Sequence, residues 1–549
     1  MKVYHRLANA FKAEGVSAVF GMMGDGNMYW VHELYKIGVK MHECRHEGAA
    51  LGMADGWARV THTPGVATAT CGPGVTQLAT ALVTASRANS PLVAFIGEHP
   101  TTDDEYIQYL DAARFAAACE SNFVRLVSAD AVDDTVRKAF YLAKLENKPV
   151  LLSCPMDIQQ KEFDDDEPYK PSATLFTRGA VHPDAGALER AADIVASSKK
   201  PVIVVGRGAI WANAGDAVKK LGDRIGAIIA TSLMSKTFLS ESEYHAGISG
   251  TYASRTAMKL FEEADCVIAV GASMNRYTTE HGYLYPDARY VHIDSKPHLM
   301  LSGGRSADAY VQADARVGAE ELEKLLASRS VKSVGYRTPD VKAKLARHYE
   351  DRTEFPIDPG TVDPREACQM LDEMVPQDIA LLSGSGMSSG FTSMMMNKRR
   401  SLVLGGHFFG CIGQMLPAAM GAVVAMGNKP AMLLDGDASV MMHLAEFETA
   451  VRYNMPLLVV VLNNECLGAE YYKLDAHKMD VTTSQITTPD LGKVAAAMGG
   501  RGAMATSMDE LKAAVSGWIA NPGPMMIDLR ISRTVISVPY RRIHYGRDE

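Results

Sequence analysis

Residues 431–468 read AMLLDGDASVMMHLAEFETAVRYNMPLLVVVLNNECLG. An apolar run, Ala431 to Leu434, ends in Asp435, Gly436 and Asp437, after which Val440, Leu444, Phe447 and Val451 recur at i, i+4, i+7 and i+11. That pattern predicts a strand, a tight turn and one amphipathic helix. Asn454 and Pro456 stop the helix, and Leu457 to Leu462 is a second strand-length apolar run ending in Asn463 and Asn464. Such a unit crosses over right-handed and lays its strands parallel, so Asp437 and Asn464 emerge on one edge of the sheet. Neighbouring strands lie about 4.8 Å apart, close enough for a carboxylate and an amide oxygen to share one ion. One carboxylate, one amide oxygen and room for phosphate oxygens suit Mg²⁺; a Ca²⁺ cage needs more carboxylates. The helix start after Asp437 also attracts phosphate. Taken alone, Gly-Asp-Ala-Ser reads equally as a capped turn and the paired Asn as another.

A chain of 549 residues exceeds what one core can hold, and about 150 residues per domain suggests three or four. Hydrophobic residues make up 47% and charged residues 22%, an ordinary globular balance. The net charge of −8 gives no reason to expect nucleic acid or a membrane as partner. Eight scattered Cys contain no Cys-x-x-Cys pair, so neither a zinc site nor a disulfide framework is indicated. The N-terminal MKVYHRLANAFKAEGV carries charges throughout, and nowhere do eighteen apolar residues run together. A cytoplasmic protein is expected.

Outward from the opening stretch, the pattern predicts an α/β fold of three doubly wound parallel-sheet domains, residues 1–165, 183–330 and 361–549. In the first, Val3, Leu7 and Phe11 mark a helix face, and a helix beginning near Glu47 is lined by Gly48, Ala49, Gly52 and Gly56, permitting close backbone approach. Asp164 to Pro183 and residues 328 to about 360 read as linkers. In the middle domain the strand Pro201 to Val205 runs into Gly206-Arg207-Gly208, a tight turn or a nucleotide loop. The run A-x-R-x-N-x-P-L occurs twice, at Ala85 to Leu92 and at Ala450 to Leu457, which suggests related outer domains.

Asn464 follows Asp437 by 27 positions. This spacing resembles the signature of the thiamine diphosphate (ThDP) enzymes, and the domain order resembles their decarboxylase group, which includes acetolactate synthase, benzoylformate decarboxylase, pyruvate decarboxylase and benzaldehyde lyase. The resemblance implies Mg²⁺ held by Asp437, Asn464 and the carbonyl of Cys466. Gly436, Ala438, Ser439 and the loop Ser383, Ser385, Met387 then fall beside the diphosphate. Ala438 departs from the usual Gly, and at positive φ its methyl would cost roughly 1–2 kcal/mol. Arg45-His46-Glu47 resembles the acetolactate synthase form of the catalytic glutamate, which hydrogen-bonds the coenzyme's N1′ and tunes its imino tautomer. Gly410-Cys411-Ile412-Gly413 falls where the family accepts from the 4′-amino group (Gly410) and wedges the cofactor into a V (Ile412).

Asp25, within Gly24-Asp25-Gly26-Asn27, and Glu470 resemble proton donors of pyruvate decarboxylases. His99 stands alone where that branch has a pair, and Gln108 falls near the Gln of acetolactate synthase and benzaldehyde lyase. Ser273 to Thr278 replaces the segment expected to hold FAD, so FAD is not expected. The resemblance implies a ThDP- and Mg²⁺-dependent enzyme that decarboxylates a 2-oxo acid and passes the enamine to a proton or to an aldehyde or ketone. Alternatives are an acyloin lyase or carboligase that releases no CO₂, a regulatory subunit without turnover, and a nucleotide-binding protein. A homodimer or homotetramer is implied, with Glu47 of one chain meeting Asp437 of another.

Overall fold

A computed structural model describes residues 1–164, 167–175, 179–296 and 305–546. The first sheet comprises β1 (Ala18–Gly21), β2 (Lys40–Glu43), β3 (Gly65–Ala69), β4 (Leu92–Glu98), β5 (Asn122–Arg125) and β6 (Pro149–Pro155), in the order 2-1-3-4-6-5. The second comprises β7 (Pro201–Val205), β8 (Ile228–Thr231), β9 (His245–Ile248), β10 (Cys266–Val270), β11 (Arg289–Asp294) and β12 (Ala309–Gln312), in the order 12-11-10-7-8-9. The third comprises β13 (Ala380–Ser383), β14 (Val403–Gly405), β15 (Ala431–Gly436), β16 (Leu457–Asn463), β17 (Arg501–Ala505) and β18 (Met525–Arg530), in the order 14-13-15-16-18-17. The strands pair in parallel, and β4, β6 and β16 are buried along their whole length, as expected when helices cover both faces of a sheet. This is the α/β architecture that the alternating pattern predicts.

The first and third sheets share one strand order, and the repeated A-x-R-x-N-x-P-L run precedes the fourth strand of each. Asn89 (φ 50°) and Asn454 (φ 47°) are both left-handed. Each ends a helix where a β-branched residue would be strained, and the Pro two positions later prevents its continuation.

The structure corrects three expectations. The single helix through Val440 and Val451 is two, Asp437–Met442 and Glu446–Arg452, broken at His443 (φ −126°, ψ 30°). Val440 and Phe447 are buried, while Leu444 and Val451 are only half-buried. The break turns Glu446 toward the first domain, where its carboxylate accepts from the N–H of Arg45. Of the first linker, residues 165–166 and 176–178 lie outside the described residues, and the rest includes the helical turn Ser172–Leu175. The second linker contains the helix Pro339–Leu345.

The small-faced helix Glu47–Thr61 packs on Met415–Ala425 of the third domain. A Cβ on Gly56 would lie 2.0 Å from the Ala418 carbonyl oxygen, and one on Gly421 would lie 1.9 Å from that of Met53. Glycine is required there by contact rather than by φ. Among the described residues no helix is long and apolar enough to cross a membrane.

Candidate functional site

Gly436 pairs with Leu462, so Asp437 leaves β15 where Asn463 and Asn464 leave β16. Asp437 is 2% exposed and accepts from the Thr488 hydroxyl at 2.8 Å. Asp435, equally deep, accepts from Ser439 Oγ at 2.6 Å and from the Gly436 N–H at 2.8 Å. Burial pushes Asp437 up to about 6 and Asp435 up to about 7. Nearby Asp528 has Arg530 as ion-pair partner at 3.1 Å; among the described residues no ion pair reaches Asp435 or Asp437. Buried carboxylates without a counter-charge are unfavourable, and a cation at this rim would relieve both.

The donor set fits a hard ion bound together with a phosphate. Asn464 Oδ1 accepts from the Cys466 N–H at 3.2 Å, while its Nδ2 is buried without a partner among the described residues. Burial pushes the Cys466 thiol up to about 12, which leaves its carbonyl as the oxygen it can offer a hard cation. Among the described residues no three His, Cys, Asp or Glu side chains gather to hold a metal by themselves. The ion's shell would need oxygens from elsewhere, a condition Mg²⁺ meets with phosphates.

A Cβ on Gly436 or on Gly410 would meet nothing within 4 Å, so the backbone there is open to a ligand. Ala438 lies inside the helix Asp437–Met442, so the strain foreseen for its methyl does not arise. Ser439 Oγ accepts from the Gly413 N–H at 2.8 Å, which ties the Gly410 to Gly413 loop to the turn after β15. Ile412 is half-buried, its Cγ2 4.0 Å from the Cβ position of Gly386. Met387 and Asn464 Nδ2 both lie 3.0 Å from the Cβ position of Gly468. Ser385 Oγ donates to the Gly406 carbonyl at 2.6 Å and Ser383 Oγ to that of Gly384 at 3.4 Å, so both hydroxyl protons are already engaged.

A second constellation lies at the C-terminal ends of β1, β3 and β4. Glu47 opens its helix, which His46 caps by accepting from the Gly48 N–H at 3.0 Å. Its Oε1 lies 3.0 Å from the Cβ position of Gly74. The Cys71 thiol donates to Gln108 Oε1 at 2.9 Å. Burial, with a contribution from the Asp25 carboxylate, raises this thiol. Asn27 is fully buried and holds the Asp25 turn, accepting from the Gly24 N–H at 2.8 Å. His99 is 7% exposed, with its ring 4.7 Å from that of Tyr109.

Asp25, Glu47 and Gln108 therefore share the first domain, with His99 beside the Gln108 loop. Glu470, exposed in the first turn of the helix Gly468–Ala476, lies near Cys466 in the third domain instead. The two acids expected to face one pocket are on different domains of this chain. Sequence reasoning missed Cys71, Thr488 and Glu446. Cys71 precedes Gly72-Pro73-Gly74, a signal of close backbone approach, whereas Thr488 lies in a loop with no pattern at all.

The chain matches three family descriptions: "Thiamine pyrophosphate enzyme, N-terminal TPP binding domain" over residues 1–115, the "central domain" over 188–322, and the "C-terminal TPP binding domain" over 384–529. It is 28% identical to the probable acetolactate synthase large subunit of Methanocaldococcus jannaschii, across 97% of this chain and 92% of that protein. It is also 28% identical to the acetolactate synthase isozyme 2 large subunit of Escherichia coli, across 96% and 94%. With the matches in the same order as the three sheets, the chain belongs to the thiamine diphosphate-dependent enzymes, in the acetolactate synthase-like group.

Proposed function

We propose that this protein binds ThDP through Mg²⁺, decarboxylates a 2-oxo acid and transfers the remaining acyl unit to a second carbonyl compound, in the manner of an acetolactate synthase. The observation that carries the reading is the rim where Asp437 and Asn464 leave adjacent parallel strands, buried and with no ion-pair partner among the described residues. Asp437, Asn464 and the Cys466 carbonyl would hold the ion, with Gly436, Ala438, Ser439, Ser383, Ser385 and Met387 around the diphosphate. Residues 361–549 act as the diphosphate-binding domain, 1–165 as the pyrimidine-binding domain and 183–330 as the central Rossmann-like domain.

When bound, the coenzyme supplies a thiazolium carbon that adds to the substrate carbonyl and stores the electron pair left by CO₂. Glu47 would hold a proton at N1′, the Gly410 carbonyl would accept from the 4′-amino group, and Ile412 would pack against the coenzyme's rings. Because Gln108 Oε1 is taken by Cys71, its Nε2 is left to donate to the substrate. Asp25, His99 and Glu470 are the further proton-handling groups on the substrate side. Each site is completed by a second copy of the chain, in a homodimer or homotetramer that brings Glu47 to the partner's rim. Ile107 (95% exposed) beside Gln108 and Met442 (58% exposed) beside Gly413 are apolar surfaces that such an assembly would cover. FAD is left out of this reading because Ser273 to Thr278 stands in place of the segment expected to hold it.

The test is apoprotein reconstituted with ThDP and Mg²⁺, given 2-oxo acids singly and in pairs while CO₂ and condensation products are measured. CO₂ release with a 2-hydroxy-3-oxo product, from protein without flavin absorbance, is the expected result. Acyloin cleavage with no CO₂ from any 2-oxo acid contradicts it. In the same preparation Glu47→Gln should slow hydrogen exchange at the coenzyme's C2 by orders of magnitude and leave binding nearly intact.

A further inference from the structure

The loop that presents Glu47 is held by the third domain. Glu446 is 0% exposed, and its Oε1 accepts from the Arg45 N–H at 2.9 Å. The neighbouring His46 backbone also favours the charged form of this carboxylate, and the Thr449 hydroxyl donates to Oε2 at 2.8 Å. Around this contact Arg45 pairs with Glu448 at 2.8 Å, Arg452 donates to the Glu43 carbonyl at 2.7 Å, and the Tyr453 hydroxyl accepts from the Glu43 N–H at 2.9 Å. The exposed ion pair at Arg45 adds little. The buried carboxylate is different, because removing it leaves the partly buried Arg45 N–H without its acceptor, and an unsatisfied donor is costly.

Glu446 belongs to the opening stretch itself, nine positions after Asp437, beyond the helix break that turns it outward. The same segment thus places one carboxylate at the candidate ion rim and a second against the backbone immediately before Glu47. We infer that Glu446 is a positioning residue for Glu47: by fixing the Arg45–His46 backbone it sets where the helix start delivers the Glu47 carboxylate. This rests on the reading of Glu47 given above. It adds that the diphosphate motif and the acid that serves the pyrimidine are mechanically one unit within each chain, although they serve different sites if sites are shared between chains.

The experiment compares Glu446→Ala, Glu446→Gln and Glu47→Gln in the full-length protein. The readouts are amide exchange over residues 43–48 in the apoprotein, ThDP affinity with Mg²⁺, and C2 hydrogen exchange of bound ThDP. Gln at 446 keeps an oxygen for the Arg45 N–H and an amide that can donate to Thr449. Glu446→Ala should therefore lose amide protection at residues 45–46 and slow C2 exchange about tenfold or more, with affinity changed less than about threefold. Glu446→Gln should restore most of both. Unchanged C2 exchange in Glu446→Ala, alongside slowed exchange in Glu47→Gln, overturns the inference alone. Unchanged exchange in Glu47→Gln overturns the reading of Glu47 beneath it. Equal loss of affinity and exchange in Glu446→Ala, with no recovery in Glu446→Gln, marks Glu446 as a general structural residue and also overturns the inference.

Discussion

The Cys71 thiol donates to Oε1 of Gln108 across 2.9 Å, joining the end of β3 to a residue 37 positions away in an exposed loop. The contact fixes which end of the Gln108 amide is spare. Because Cys71 is 1% exposed and its thiol is raised by burial, it stays protonated near neutral pH and keeps donating.

Cys71→Ala should therefore reduce kcat/KM about tenfold, the scale of one lost hydrogen bond of ~1.4 kcal/mol. Cys71→Ser, which retains a donor, should lose less. In a double-mutant cycle with Gln108→Ala the effects should fall short of additive. Additive losses would mean that Cys71 acts by another route.

At the seam between the first and third domains, Gly421→Ala should destabilise the protein by about 1–3 kcal/mol. Alanine gains up to about 1 kcal/mol of helix propensity, but the new Cβ would meet the Met53 carbonyl oxygen at 1.9 Å. Backbone cannot yield as a flexible side chain does, so the clash wins. Urea denaturation is the measurement; an equal or higher midpoint would show that the seam is looser than the structure indicates.

Lys236 reaches from the central domain into the third, where Nζ donates to the Thr392 carbonyl at 2.7 Å and to the Ser393 carbonyl at 2.5 Å. Burial pushes this ammonium down to about 7 from its ordinary 10.5. Between those values the unfolded chain holds a proton that the folded chain lacks, so this group's contribution to stability rises with pH across that window and is flat below it. The stability of wild type minus that of Lys236→Met should rise from about pH 7 to about pH 10. A signed difference that is constant or falls would place the lysine outside its buried position.

The parts of the fold legible in the sequence were those where one physical demand acted alone. Leu457 to Leu462 is buried on both faces, so an unbroken apolar run sufficed. β5, β12, β14 and β17 lie at sheet edges, half-exposed, and their mixed residues carry no clear period. β18 is interior, yet Asp528 stands fully buried within it, hydrogen-bonded to Asn463 and Leu491, and breaks the apolar pattern. Within the site, Asp437 and Asn464 were readable because strand ends fix their placement. The helix break at His443 was not readable, because it answers to Arg45, some four hundred residues away.

On the proposed reading the Asp437 rim anchors ThDP through Mg²⁺. The decisive measurement is calorimetric titration of ThDP into apoprotein, with and without Mg²⁺, for wild type and Asp437→Ala. Wild type should bind tightly only with Mg²⁺, and Asp437→Ala should lose that dependence together with at least a hundredfold in affinity, about 2.7 kcal/mol. Undiminished, Mg²⁺-dependent binding by Asp437→Ala would contradict it.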